Sequence, residues 1–97
     1  MSTPLTPEEI ETAVGLLPGW SYRHAALAKT FTFTTFKEAL SFMVRVGFEA
    51  EAMGHHPDWT NVYNRVDVRL STHDAGDKVT GLDVELAKRI QRVSWSG

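Results

Sequence analysis

The sequence predicts an α+β fold, a four-stranded antiparallel sheet with three helices packed on one face, in the order α-β-β-α-β-β-α. Three segments carry apolar residues at helical spacing, and two pairs of short segments alternate apolar and polar residues as hairpin strands do. Hairpins build antiparallel sheets, and one-sided helices need an apolar surface to cover. We therefore expect one sheet face to be buried under the helices and the other to meet water.

Length and composition exclude several classes of protein. The 97 residues, 42% hydrophobic and 23% charged, predict a single domain over residues 1–97. A net charge of −2 gives no electrostatic reason to bind nucleic acid or an anionic membrane. The absence of cysteine excludes disulfides and thiolate chemistry. No segment is apolar for long enough to span a bilayer, and residues 1–4 do not resemble an export signal, so a cytoplasmic location is expected.

The first helix and the first hairpin occupy residues 6–33. Thr6, Pro7 and Glu9 form a capping-box pattern that starts a helix, which Pro18-Gly19 ends. A short strand is predicted at residues 20–22. After a turn near His24, alternation over residues 27–33 predicts its partner strand.

The longest helix is predicted from Phe36 to about Met53, after a second capping-box pattern that begins at Thr35. Gly54 is expected to end it in a left-handed conformation. Because Glu51 precedes His55 by four residues, its carboxylate is expected beneath that histidine. The buried stripe is predicted to contain Phe36, Leu40, Met43, Gly47 and Ala50, widened by Ala39 and Val46.

Period-two alternation then predicts a second hairpin, with strands at residues 59–63 and 66–70 and a two-residue turn at Asn64-Arg65. In that register Trp59 lies near Leu70, and the two strands share an apolar face. Residues 74–79 form a polar loop, and Thr80 with Asp83 starts the last helix.

Three of the four histidines fall at the two ends of this hairpin. His55 and His56 precede its first strand, and His73 follows its second. Antiparallel pairing brings these positions to the same end of the sheet, and Asp83 is expected there too. Imidazoles titrate near neutral pH, so the cluster offers both a proton donor and a proton acceptor. The pattern predicts an acid–base site.

The spacing of these residues resembles that of the pterin-4a-carbinolamine dehydratase family. The pattern that carries the resemblance is Glu51-x3-His55-His56-Pro57-x5-Tyr63-x9-His73-x9-Asp83. The resemblance extends through Phe-Met-x-Arg-Val at 42–46, Trp-x-Asn-Val-Tyr-Asn at 59–64 and Leu-Ser-Thr-His at 70–73. The chain differs at Gly54, where some members have aspartate.

The resemblance implies dehydration of a 4a-hydroxytetrahydropterin to a quinonoid dihydropterin, with no metal or organic cofactor. It implies a pterin substrate and assembly into a homodimer or homotetramer. His55, His56 and His73 correspond to the family's catalytic histidines, with the acid and the base unassigned. The predicted substrate-binding residues are Glu51, Trp59, Ser71, Thr72 and Asp83.

Several alternatives stay open at this level. Asp83 is either a helix-capping acid or a functional group, Trp59 either core or pocket wall, and Glu51 either a solvated charge or part of the site. His24 is interpreted as a surface turn residue. Two other functions remain: a metal-binding protein that uses the histidines with carboxylates, and a non-catalytic protein-binding or assembly module of the same fold.

Overall fold

Three helices and four strands form in the predicted order within residues 3–95, which the computed structural model describes. The remaining residues of the predicted domain, 1–2 and 96–97, lie outside the described residues. The elements are α1 (Pro7–Gly15), β1 (Ser21–Arg23), β2 (Ala26–Thr32), α2 (Phe36–Met53), β3 (Asp58–Val62), β4 (Arg65–Leu70) and α3 (Gly81–Val93), with a short 3₁₀ helix at His73–Ala75.

The four strands form one antiparallel sheet in the order β1-β2-β4-β3. The two hairpins therefore join through β2 and β4, where Leu27 pairs with Leu70 and Phe31 with Val66. All four of these side chains are buried, which places the core under the centre of the sheet. β1 and β3 are the edge strands.

The second hairpin turns one residue earlier than predicted, at Tyr63-Asn64 rather than Asn64-Arg65. Tyr63 takes a left-handed conformation (φ 51°), and the Asn61 side-chain amide donates to the carbonyl oxygens of Tyr63 (3.1 Å) and Arg65 (2.9 Å). Trp59 consequently pairs with Val68, two residues from its predicted partner. A shift of two residues keeps every side chain on its predicted face, because the side-chain period of a strand is two.

The predicted helix caps form in all three helices. Reciprocal capping boxes join Thr6 to Glu9 and Thr80 to Asp83. At α2 only half of the box forms: Thr35 accepts from the amide of Glu38, whereas the Glu38 carboxylate accepts from the amide of residue 34. Each helix start therefore has side-chain partners for amides that the helix itself leaves free.

The core lies between the sheet and the helices, and α2 buries three residues of its predicted stripe, Ala39, Val46 and Ala50, together with Phe42. Phe42 packs between Phe31 and Phe33, with ring centroids 4.6 and 5.0 Å away. Phe36 and Leu40, predicted to be buried, are exposed. The α2 residues that are buried are Ala39, Phe42, Val46 and Ala50. Within residues 3–95, no helix combines the length and apolar character that crossing a membrane requires.

Candidate active site

His55 and His56 occupy the turn between α2 and β3, and Gly54 determines how they enter it. Gly54 has a left-handed backbone (φ 64°), and the amides of Gly54 and His55 donate to the carbonyl oxygens of Glu51 and Ala50 over 3.1 Å each. These bonds satisfy carbonyl groups that the end of a helix leaves free. The chain leaves the helix with the His55 side chain 11% exposed and the His56 side chain 65% exposed.

His73 comes to the same place from the other strand of the hairpin. It begins the 3₁₀ helix shortly after β4, and the pairing of Asp58 with Arg69 sets the start of β3 beside the end of β4. The two loops border a cavity of about 310 Å³. Its lining residues are Gly54, His55, His56, Ser71, Thr72, His73, Asp74 and Leu82. The structure thus brings all three predicted catalytic histidines to one cavity.

Behind this cavity, His55 forms a short contact with a buried carboxylate. His55 Nε2 lies 2.7 Å from Oδ1 of Asp83, whose side chain is fully buried. The other oxygen, Oδ2, accepts from the Thr80 amide (2.9 Å) and from the Thr72 hydroxyl (2.7 Å). Asp83 therefore caps α3 with one oxygen and contacts the His55 ring with the other.

This contact determines which ring nitrogen of His55 carries the proton in the neutral ring. A carboxylate oxygen only accepts, so Nε2 carries the proton toward Asp83 and Nδ1 is left without it in the neutral ring. His55 Nδ1 has no hydrogen bond within the described residues. No buried side-chain nitrogen or oxygen of residues 3–95 lacks a partner. Nδ1 is therefore accessible to solvent.

The other two histidines pair with carboxylates at the surface. His56 Nε2 lies 3.1 Å from a Glu51 oxygen, so Glu51 approaches the second histidine rather than the predicted His55. The reversal of the chain at Gly54 explains the difference. His73, 91% exposed, has Nδ1 3.1 Å from an Asp77 oxygen. Sequence reasoning missed Asp77, although its spacing of four residues from His73 was the available signal.

Of the remaining predicted site residues, one lines the cavity and one packs against the hydrophobic core. Ser71 lines the cavity. Trp59 does not: it is half-buried on the core face of β3, opposite Val68, and packs against the hydrophobic core.

Two further expectations concern His24 and metal binding. His24 lies in the exposed turn between β1 and β2, and its carbonyl oxygen accepts from Arg69 (3.1 Å), as the interpretation of a surface turn residue requires. Among residues 3–95, no group of three or more histidine, aspartate or glutamate side chains is arranged to hold a metal ion.

Comparison with known proteins identifies the family. A family model described as pterin 4 alpha carbinolamine dehydratase matches residues 3–93. A provisionally named pterin-4-alpha-carbinolamine dehydratase of Opitutus terrae is 58% identical over the full length of both chains. A protein of the same provisional name from Christiangramia forsetii is 44% identical, with 96% of this chain and 95% of that protein covered.

Solved structures agree with this result. A crystal structure described as a transcriptional coactivator/pterin dehydratase from Brucella melitensis matches with a TM-score of 0.91 and 37% identity, over 98% of this chain and 100% of that chain. A pterin dehydratase-like protein described as a RuBisCO assembly factor in the alpha-carboxysome matches with a TM-score of 0.64, over 80% of this chain and 89% of that one. At 19% identity, this second likeness shows the fold alone. The chain belongs to the pterin 4 alpha carbinolamine dehydratase family.

Proposed function

We propose that this protein is a hydro-lyase that converts a 4a-hydroxytetrahydropterin to the quinonoid dihydropterin and water, and so recycles a pterin cofactor. The family and the names of its relatives support the activity. The observation that carries the proposal is the convergence of His55, His56 and His73 on one cavity, with a buried carboxylate behind the first.

The reaction needs one proton donor and one proton acceptor. The C4a–O bond breaks, and because hydroxide is a poor leaving group, an acid must protonate the departing oxygen. The N5–H proton passes to a base while the C4a=N5 double bond forms. Imidazoles supply both forms near neutral pH. No atom is oxidised or reduced, so the step needs no redox cofactor.

The structure suggests how the histidines divide this work. His55 acts through Nδ1, and the Asp83 carboxylate holds the ring in its orientation and tautomer, as in other aspartate–histidine pairs. His56 and His73 are exposed and exchange protons directly with solvent. Glu51 is proposed to orient His56 and, through His56, to help hold the substrate in place.

The cavity is proposed to take the flat pterin ring. About 310 Å³ bordered by imidazoles and hydroxyls suits a polar bicyclic molecule. Ser71 lines the cavity, and its hydroxyl is proposed to bond the pyrimidine edge. Trp59 is proposed to support the β3 side of the site from the core.

A dehydratase assay tests the proposal. The substrate is generated in place by a pterin-dependent aromatic amino-acid hydroxylase, and the appearance of quinonoid dihydropterin is followed by its absorbance. Variants His73→Ala and His55→Ala/His56→Ala are expected to lose roughly 10²–10⁴-fold in rate, the usual contribution of acid–base groups. His24→Asn is the matched control, because His24 lies in a turn outside the cavity, and asparagine tolerates the left-handed backbone there.

The outcomes separate the possibilities. Full turnover by His73→Ala would remove His73 from the mechanism. A wild-type rate no higher than that of His55→Ala/His56→Ala would overturn the enzymatic proposal and favour a non-catalytic protein-binding role. The description of the Brucella relative as a coactivator as well as a dehydratase favours that role as the second candidate.

We also infer that the chain forms a homodimer or homotetramer. α2 presents a second apolar stripe on its outer side, and within residues 3–95 the outer edge of β3 is unpaired. The stripe, called here the outer α2 stripe, consists of Phe36, Leu40, Val44 and Phe48. The cytoplasmic location expected from the sequence stays a prediction.

A further inference from the structure

We propose that Thr72 is a positioning residue: its hydroxyl holds the Asp83 carboxylate so that His55 presents Nδ1 to the cavity. The proposal rests on the proposed function where it concerns turnover. Where it concerns the protonation pattern of His55, it rests on the geometry of the protein alone. The sequence had predicted Thr72 as a direct substrate contact.

The hydrogen bonds of the Thr72 hydroxyl have only one possible direction, from Thr80 to Thr72 and from Thr72 to Asp83. Its Oγ1 lies 2.7 Å from Asp83 Oδ2 and 2.7 Å from Thr80 Oγ1. Because an ionised carboxylate only accepts, the Thr72 hydroxyl donates to Asp83 and its oxygen accepts from the Thr80 hydroxyl. Thr80 Oγ1 in turn accepts from the Leu82 amide (3.2 Å). Each proton of this hydrogen-bond network therefore has a single acceptor. The Thr72 hydroxyl proton is donated to the carboxylate that contacts His55.

Thr72 has no hydrogen-bond donor left for a substrate. Its amide donates to the carbonyl oxygen of Lys78 (2.8 Å), and its own carbonyl oxygen accepts from the amides of Ala75 and Asp77, both at 3.1 Å. Its hydroxyl is engaged as described, and the residue is buried. Although Thr72 borders the cavity, its polar groups are all directed into the protein, and this favours a role in holding Asp83 over a role in binding pterin.

The position of Thr72 explains why this bond matters. Thr72 follows β4, Asp83 belongs to the first turn of α3, and His55 belongs to the turn after α2. The hydroxyl is one of three donors that fix the carboxylate, along with the Thr80 amide and the His55 ring. Without it, Oδ2 keeps a single donor and the carboxylate gains freedom to rotate. The bond from Oδ1 to His55 weakens as a result.

Thr72→Val removes the hydroxyl at nearly constant volume, and Thr72→Ser keeps it. We expect Thr72→Val to lower kcat by about 10-fold or more, the usual range for groups that orient a ligand or base, while KM changes less than about twofold. Thr72→Ser is expected to restore most of the rate. Thr30→Val is the control, since it removes a comparable hydroxyl–carboxylate bond, to Asp67 (2.6 Å), on the exposed sheet face.

Nuclear magnetic resonance of the full-length, ligand-free protein labelled with ¹⁵N gives a readout independent of turnover. The wild type and Thr72→Ser are expected to show a slowly exchanging proton on His55 Nε2 and an unprotonated Nδ1. In Thr72→Val this proton is expected to exchange rapidly and to shift upfield, as a weakened hydrogen bond does. Thr30→Val should leave the signal unchanged.

The two measurements separate failure of the inference from failure of the proposed function. If the wild type has no dehydratase activity but its His55 signal depends on the Thr72 hydroxyl, the proposed function is overturned and the positioning role is kept. Wild-type kcat and an unchanged His55 signal in Thr72→Val would overturn the positioning role. If Thr72→Val does not fold, the wild type still decides, because a proton on Nδ1 rather than Nε2 of neutral His55 would contradict the inference.

Discussion

The Asp83 carboxylate both caps α3 and contacts His55, because Asp83 lies in the first turn of α3. The capping-box position directs Oδ2 to the Thr80 amide, and the buried setting leaves Oδ1 to the nearest donor, the His55 ring. The partly positive start of the helix also favours a negative group there. A single side chain thus joins the stability of α3 to the orientation of a catalytic candidate.

Asp83→Asn tests this link at the residue scale. The asparagine oxygen is expected to accept from Thr80 and Thr72, so its amide group faces His55 Nε2, which must then become an acceptor. The proton of neutral His55 moves to Nδ1, and turnover is expected to fall roughly 10²–10⁴-fold, as when an aspartate–histidine pair adopts the wrong tautomer. Dehydratase assays and ¹⁵N shifts of the ring measure both effects.

Asp67→Asn is the matched control for that substitution. Asp67 also accepts a threonine hydroxyl, from Thr30, but on the exposed face of the sheet. The Asp67→Asn substitution should leave turnover and the His55 ring signals unchanged. Wild-type turnover with Nε2 still protonated in Asp83→Asn would show that Asp83 does not set the tautomer.

The sequence predicted which histidines converge, but it did not predict their partners. Convergence follows from hairpin topology, which alternation and turn spacing reveal. Partner choice depends on the direction in which each side chain leaves its turn. The left-handed Gly54 sends His56, not His55, toward Glu51, and the His73–Asp77 pair forms across a 3₁₀ turn read from the sequence as plain loop.

At the scale of elements, the helices and strands follow local signals closely. Capping residues located the helix starts, and alternation assigned the sheet faces correctly even though the hairpin register was wrong by two residues. The register escaped prediction because Tyr63 adopts a left-handed conformation that its side chain does not favour. The bonds from Asn61 to the turn carbonyls hold it there.

Gly54→Ala tests how much the left-handed end of α2 depends on glycine. A Cβ at Gly54 would meet no atom within 4 Å, so the cost is backbone strain alone. A left-handed conformation costs an L-residue roughly 1–2 kcal/mol. We expect thermal unfolding to show a loss of about 1 kcal/mol, which lowers Tm by roughly 4–8 °C in a domain of this size.

Gly15→Ala is the matched control for Gly54→Ala. Gly15 also has open space around a Cβ, but it ends α1 without a positive φ. Alanine has the higher helix propensity, so stability should stay constant or rise by up to about 1 kcal/mol. Equal responses at the two glycines would contradict the role given to the left-handed cap.

Asn64 joins the two hairpins, and its substitution tests that junction. Its side-chain amide donates to the carbonyl oxygen of Phe33 (2.7 Å), and its own carbonyl oxygen accepts from the Phe33 amide (2.9 Å). Asn64→Ala should cost about 1–2 kcal/mol in denaturant unfolding, because a partly buried carbonyl loses its donor. Asn64→Asp keeps the shape without the donor, so wild-type stability in that variant would show that the bond contributes little.

At the scale of the whole molecule, α2 has apolar residues on two sides. One side packs on the sheet through residues such as Phe42 and Val46. The outer α2 stripe faces away from the core, and Phe48 within it is 73% exposed. Helical periodicity does not rank two such sides, which is why Phe36 and Leu40 were assigned to the core. Phe36 and Leu40 instead belong to an apolar surface that a single copy of the chain leaves exposed.

Val44→Glu/Phe48→Glu tests whether this stripe is covered by another copy. Burying a phenylalanine contributes roughly 1.5–3 kcal/mol, and burying an unpaired carboxylate costs more, so the double variant should weaken association at least 100-fold. In sedimentation, the wild type is expected at two or four times 10.9 kDa and the variant at a lower mass.

Helix content should stay constant in that variant, because both positions are exposed in the single chain and glutamate favours helices. Leu16→Glu is the matched control, since Leu16 is 74% exposed but lies at the end of α1. If Leu16→Glu dissociates the protein equally, the effect comes from added charge rather than from the stripe. A wild type that sediments only at 10.9 kDa would contradict self-association, and the outer α2 stripe would then be the surface to probe for a different protein partner.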